Sequence, residues 1–88
     1  MSVRPDPKQE HDVLYIVLDN LPSRWTDPRA AQAVAEMRQA VVRAERALAV
    51  LQEQEAGQDI AFCIRVAGLR ILTGCAQEEL AQAERYGL

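Results

Sequence analysis

Few residues in this sequence could carry acid–base, nucleophilic or metal chemistry: one histidine, His11, and two cysteines, Cys63 and Cys75. A Ser-His-Asp or Cys-His arrangement needs a base held against its nucleophile. The only histidine falls near the N-terminus, ahead of the first apolar run, and reads as a solvent-facing helix residue. Zinc takes four ligands, commonly with a closely spaced pair, whereas Cys63, Cys75 and His11 supply three and no such pair. Gly57, Gly68, Gly74 and Gly87 have neither the spacing nor the following lysine of a phosphate-cradling loop. Glu36, Glu45, Glu53 and Glu55 alternate with Arg38, Arg43 and Arg46, the pattern of a solvated helix face rather than a catalytic carboxylate pair. The sequence therefore predicts no catalytic residue, no metal, no cofactor and no enzyme activity.

The chain has 88 residues, 10 Lys and Arg against 13 Asp and Glu, a formal net charge of −3, 49% hydrophobic residues and 5% aromatics. At this size folding buries only about 60–65% of the surface that the unfolded chain exposes. That limits the chain to one domain with a thin core and excludes a large catalytic cleft. Low net charge and abundant apolar residues exclude a disordered chain. A domain that binds nucleic acid by bulk charge is normally basic; this one is acidic, so nucleic acid is not the expected partner.

Arg4, Lys8 and three acids precede any apolar run, which is not the pattern of an export signal. Arg65 and Arg70 interrupt the apolar stretch from Ile60 to Ala76, so no membrane span is expected. On one helix Cys63 and Cys75 would stand roughly 15 Å or more apart, against a limit of about 7 Å for bridged Cα atoms. The thiols read as reduced, small buried hydrophobes of a cytoplasmic protein, with an intermolecular disulfide as the alternative. One lysine against nine arginines, with fourteen alanines, has the look of GC-rich bacterial coding.

The elements that must position any functional face are helical. Residues 1–5 lack periodicity and are expected to be mobile, leaving 6–88 as a single helical domain. Asp6-Pro7 and Asp27-Pro28 each place a capping acid before the residue best tolerated at the first helical position. The first helix runs from Pro7 to about Asn20, with Leu14, Val17, Leu18 and Leu21 on one face. Val13–Leu18 also has strand composition, but a lone strand would lack a ladder partner. From Pro28 to about Ala56 the residues Ala30, Val34, Met37, Val41, Ala44, Leu48 and Leu51 alternate four and three apart. This is a seam for side-by-side helix packing, edged by Ala33, Ala40 and Ala47. Gly57 ends that long helix.

A third helix begins after Asp59, with Arg65, Arg70 and Thr73 in one polar sector. Ile60, Ile64, Ala67 and Ile71 can face one neighbour, and Phe62, Val66 and Leu69 another. A break at Gly74 and a short last helix from Ala76 to Arg85 are expected. The fold class is all-α, a small bundle of three to four helices with a long central helix.

Residues 69–81, Leu-Arg-Ile-Leu-Thr-Gly-Cys-Ala-Gln-Glu-Glu-Leu-Ala, resemble the opening of a Cro-type helix-turn-helix domain. Leu69, Arg70, Gly74, Gln77, Glu78, Glu79, Leu80 and Ala81 match that pattern. Ala76 departs from its capping Ser or Thr, Gly87 falls late, and the chain stops where a recognition helix would read bases. In size and character the chain is also similar to the small all-helical bacterial antiactivators of quorum-sensing and conjugation control. That resemblance implies binding and occlusion of a transcriptional activator.

The function expected is regulation by protein–protein contact through apolar helix faces. Val42 and Val50 lie off the long helix's seam, and the reading taken is that the first helix packs over them. The sharper reading makes them a partner site with Tyr15, Ile16, Trp25 and Phe62, since large aromatics anchor interfaces. Trp25 otherwise seals one end of the core. The alternatives are a small DNA-binding regulator with a degenerate helix-turn-helix, or a structural coiled-coil homodimer.

Overall fold

The computed structural model describes residues 4–88, which form three helices: α1 (Pro7–Asp19), α2 (Ala30–Glu53) and α3 (Ile60–Arg85). Part of the expected mobile stretch, residues 1–3, lies outside the described residues. The fold is all-α, a bundle of three helices with a long one in the middle of the chain.

Local chemistry sets most of the boundaries. Asp6 caps α1, its carboxylate accepting from the Lys8 N–H at 3.0 Å, with Pro7 in the first turn. Asn20 closes α1 by donating its side-chain amide to the Ile16 carbonyl at 2.7 Å. Val13–Leu18 is helix, as its expected place in α1 requires. The start of α2 differs from expectation. Asp27 does accept from the Arg29 N–H at 2.8 Å, but it is also held by the Arg29 guanidinium, and the Ala30 N–H bonds back to the Asp27 carbonyl at 2.9 Å. Pro28 and Arg29 therefore form a tight turn, and regular helix begins two residues later, at Ala30. The same guanidinium, through its hydrogen bond to Asp27, holds that carboxyl below its ordinary range.

α2 also ends before Ala56, at Glu53, because the next seam position is charged. Glu55 leaves the helix and meets Arg70 of α3 at 3.3 Å, and Gly57 turns the chain at φ 84°. Asp59 then caps α3 by accepting from the Phe62 N–H at 2.8 Å.

The largest difference is at Gly74. α3 runs unbroken through it, with no turn and no separate last helix. The reason lies in the packing phase: Phe62, Val66, Leu69, Thr73, Ala76, Leu80 and Ala83 alternate four and three apart across Gly74. Each of them is buried or packed against the core. One uninterrupted inward stripe outweighs the roughly 1 kcal/mol that glycine costs in a helix interior. Thr73, expected in an outward polar sector, is buried within this stripe, and its hydroxyl donates to the Leu69 carbonyl at 2.7 Å. The segment resembling a helix-turn-helix is thus a continuous helix.

All seven residues of the α2 seam are buried and form the floor on which the other helices lie. α1 lies along the alanine edge. Arg43 on that side binds Glu10 of α1, and Ala33 adjoins Asp19, Leu21 and Pro22. Small side chains there admit Leu14, Leu18 and Leu21. α3 takes the opposite edge, antiparallel to α2: Arg38 reaches Glu84 and the Leu88 carbonyl, Glu45 meets Gln77, and Glu55 meets Arg70. Lys8 and His11 share a hollow with Arg65 and Gly68, which places α1 beside α3 and closes the triangle.

Because α3 is continuous at Gly74 and a Cβ there meets no atom within 4 Å, Gly74→Ala should raise stability by about 0.5–1 kcal/mol. Leu69→Ala, in the fully buried seam, should lower it by about 2–5 kcal/mol. Urea unfolding reads both. A loss of stability in Gly74→Ala would contradict the continuous helix.

Candidate protein-binding faces

Among the described residues no group of histidine, cysteine and acid side chains is placed to hold a metal ion. Both cysteines are free, but contrary to expectation neither is fully buried: Cys63 is half-buried and Cys75 exposed. The inward stripe of α3 passes through Phe62, Val66, Leu69, Thr73 and Ala76 and leaves both cysteines off it. No buried side-chain nitrogen or oxygen lacks a partner among the described residues. What the bundle does present is apolar. Tyr15, Ile16, Val42, Val50, Ile60, Ile64, Ile71 and Tyr86 are large hydrophobic side chains left exposed.

The six residues expected to make a partner site do not come together. Trp25 and Phe62 are half-buried and packed against the core. Trp25 seals the end of the bundle, in a hollow bordered by Ser23, Arg24, Gln82 and Tyr86. Val42 and Val50 are exposed on α2, contrary to the reading that α1 packs over them. α1 instead follows the alanine edge, where helix backbones approach more closely. Val42 lies in a shallow hollow among Arg38, Gln39, Arg43 and Arg46, a strip whose arginines are largely committed elsewhere. Arg43 is bound by Glu10, a hydrogen bond that raises its already high pKa, and Arg38 by the end of α3.

Tyr15 and Ile16 remain as an exposed pair on α1. Their helix is fixed from behind by two groups. Leu14 enters the core beside Met37 and Val41, and the buried Glu10 is gripped by the Arg43 Nε at 2.8 Å and Nη2 at 3.1 Å. This two-pronged charge-assisted contact sets the rotation of α1 about its axis. The Tyr15 ring stacks on His11, with centroids 6.2 Å apart and planes 14° from parallel. Asp12 and Asp19, one turn to either side of Tyr15 and Ile16, are exposed on the same face. The arrangement is an aromatic–aliphatic centre bracketed by carboxylates.

The feature that sequence reasoning left undecided is the outer face of α3. Ile60, Ile64 and Ile71 are uncovered, while the Phe62 face is turned inward. α3 also reaches a mean hydropathy of 1.4 over an 18-residue window, with 22% of that window buried. By length and composition alone that is enough to cross a membrane, although the interrupting arginines argued against a span. The signal for which face turns in was present in the sequence: the inward stripe keeps its phase from Phe62 to Ala83, whereas the isoleucine stripe ends near Cys75.

A folding role for Trp25 and a surface role for Tyr15 and Ile16 separate in one experiment. Trp25→Ala should cost about 2 kcal/mol in urea unfolding. Tyr15→Ala and Ile16→Ala should each stay within about 0.5 kcal/mol of the parent.

No protein-family model, no curated protein and no solved structure matches this chain.

Proposed function

We propose that this protein is a small helical regulator that acts by protein–protein contact, docking the outer face of α1 onto an apolar, basic-flanked helical surface of its partner. The observation that supports it is the order Asp12, Tyr15, Ile16, Asp19 on one exposed helix face. An aromatic beside a branched aliphatic side chain is the composition of an interface anchor. Carboxylates at both ends select against acidic surfaces and speed encounter with basic ones. The net charge of −3 acts in the same sense over longer range. Basic helical surfaces are what DNA-binding regulators present to phosphates, so a chain with this face occludes such a surface. A transcription regulator is also the partner class that the resemblance to antiactivators implies. The free thiols suit a reducing cytoplasm.

The alternative of direct DNA binding has weaker support. Of the five arginines that could contact phosphates, Arg24, Arg29, Arg38, Arg43 and Arg46, three are engaged within the chain: Arg29 by Asp27, Arg43 by Glu10, and Arg38 by the end of α3. Those pairings reduce the positive charge on offer to phosphates. A homodimer through the α2 seam also loses its surface, because α1 and α3 cover that seam within the chain.

Affinity capture from the source cytosol, with the tagged wild type and the Tyr15→Ala/Ile16→Ala variant side by side, tests the proposal. The wild type should retain a helical regulator at near-equal stoichiometry. The double variant should bind it about tenfold more weakly or worse, and raising the salt to about 0.5 M should weaken the wild-type complex. A partner held equally by both proteins would contradict the proposal.

A further inference from the structure

Ile60, Ile64 and Ile71 stand 78%, 65% and 69% exposed along the outer face of α3. Spacings of four and seven residues bring them to one side of the helix. Ala67 and Gly68 fill the middle of that stripe, the exposed Cys75 continues it, and none of these six residues is charged. Gly68 borders a hollow with Lys8, His11 and Arg65, yet a Cβ built there meets no atom within 4 Å, although glycine in a helix interior is unfavourable relative to alanine.

The stripe is also symmetric. Ile64 and Ile71 lie equally far from the Ala67–Gly68 bond on either side, and so do Ile60 and Cys75. A two-fold axis through that point lays the face on itself with the two α3 helices antiparallel. Ile64 then meets the partner's Ile71, Ile60 meets the partner's Cys75, and small residues occupy the crossing, where the backbones approach most closely. Isologous interfaces require this self-complementarity.

We propose that the outer face of α3 seats the same face of a second copy of this chain, antiparallel and centred on Ala67–Gly68. The contact extends the apolar burial of a chain whose own core is thin. It gives Gly68 the close neighbour that the single chain lacks. A lipid surface fits less well, because anionic headgroups repel a chain of net charge −3. The dimer leaves Tyr15 and Ile16 on a different helix, so it stands or falls independently of their partner.

Sedimentation equilibrium over roughly 1–100 μM protein should give twice the 9.8 kDa chain mass. Ile64→Asp should give the single-chain mass with unchanged far-UV circular dichroism. Gly68→Leu, at a position where an added Cβ meets no atom within 4 Å, should stay folded by far-UV circular dichroism and raise the dimer Kd about tenfold or more. The register is read by crosslinking: in a Cys63→Ala background, Ile60→Cys treated with diamide should form a disulfide-linked dimer through Cys75, and the background alone should not. A wild type of single-chain mass throughout the range would overturn the proposal. So would a dimer indifferent to both Ile64→Asp and Gly68→Leu, or a Cys75–Cys75 crosslink in the background protein. Flotation of single chains with neutral phosphatidylcholine vesicles, abolished by Ile64→Asp, would assign the face to a lipid surface instead.

Discussion

The structure depends on one strip of α2. Ala30, Val34, Met37, Val41, Ala44, Leu48 and Leu51 form a stripe that two other helices share, one on each edge. The two edges differ in side-chain size and charge, and that difference assigns the neighbours. The alanine edge takes α1 and its leucines; the edge with Arg38 and Glu45 takes α3 and is fastened by polar contacts to Glu84 and Gln77. Because both neighbours need the same floor, each can turn only one stripe inward, and whatever apolar surface remains on them is exposed. The binding faces are thus a consequence of the packing rather than additions to it.

Most of this was legible in the sequence where periodicity and caps agreed. The sequence carries the seam of α2 residue for residue, the stripe of α1, the Asp6 cap and the Gly57 turn, whereas the Asp59 cap emerges only from the structure. Where two local signals competed, the sequence misled. At Gly74 the low helix propensity of one glycine points to a break, but the inward stripe keeps its phase from Phe62 to Ala83, and long-range burial is the larger energy. At Asp27 the carboxylate is shared between an N–H and the Arg29 guanidinium, which delays the helix by two residues. On α3, Arg65 and Arg70 are exposed, as expected, but they flank the inward stripe, and Thr73, grouped with them by the sequence, is buried. Arginine stems lie along a helix flank and carry the charge to the neighbouring element. Arg70 does this in reaching Glu55.

The candidate site was less legible than the fold for the same reason. Composition shows that Trp25, Phe62, Val42 and Ile64 are apolar; it does not show which of them the bundle consumes. Trp25 and Phe62 went to the core, and Val42 and Val50 were left outside because α1 could approach more closely along alanines. Only Tyr15 and Ile16 combine exposure with bracketing acids on a helix whose rotation is locked by Glu10 and Arg43. The three uncovered isoleucines of α3 follow from the same choice of inward stripe.

The central claim is that α3 is one continuous helix whose Phe62–Ala83 stripe is inward and whose isoleucine stripe is outward. Amide hydrogen exchange by NMR across residues 69–80 tests this most directly. A continuous, packed helix predicts protection that continues through Thr73, Gly74, Cys75 and Ala76, approaching that of Leu69. Fast exchange confined to Gly74–Gln77, between two protected segments, would show a turn there and contradict the account.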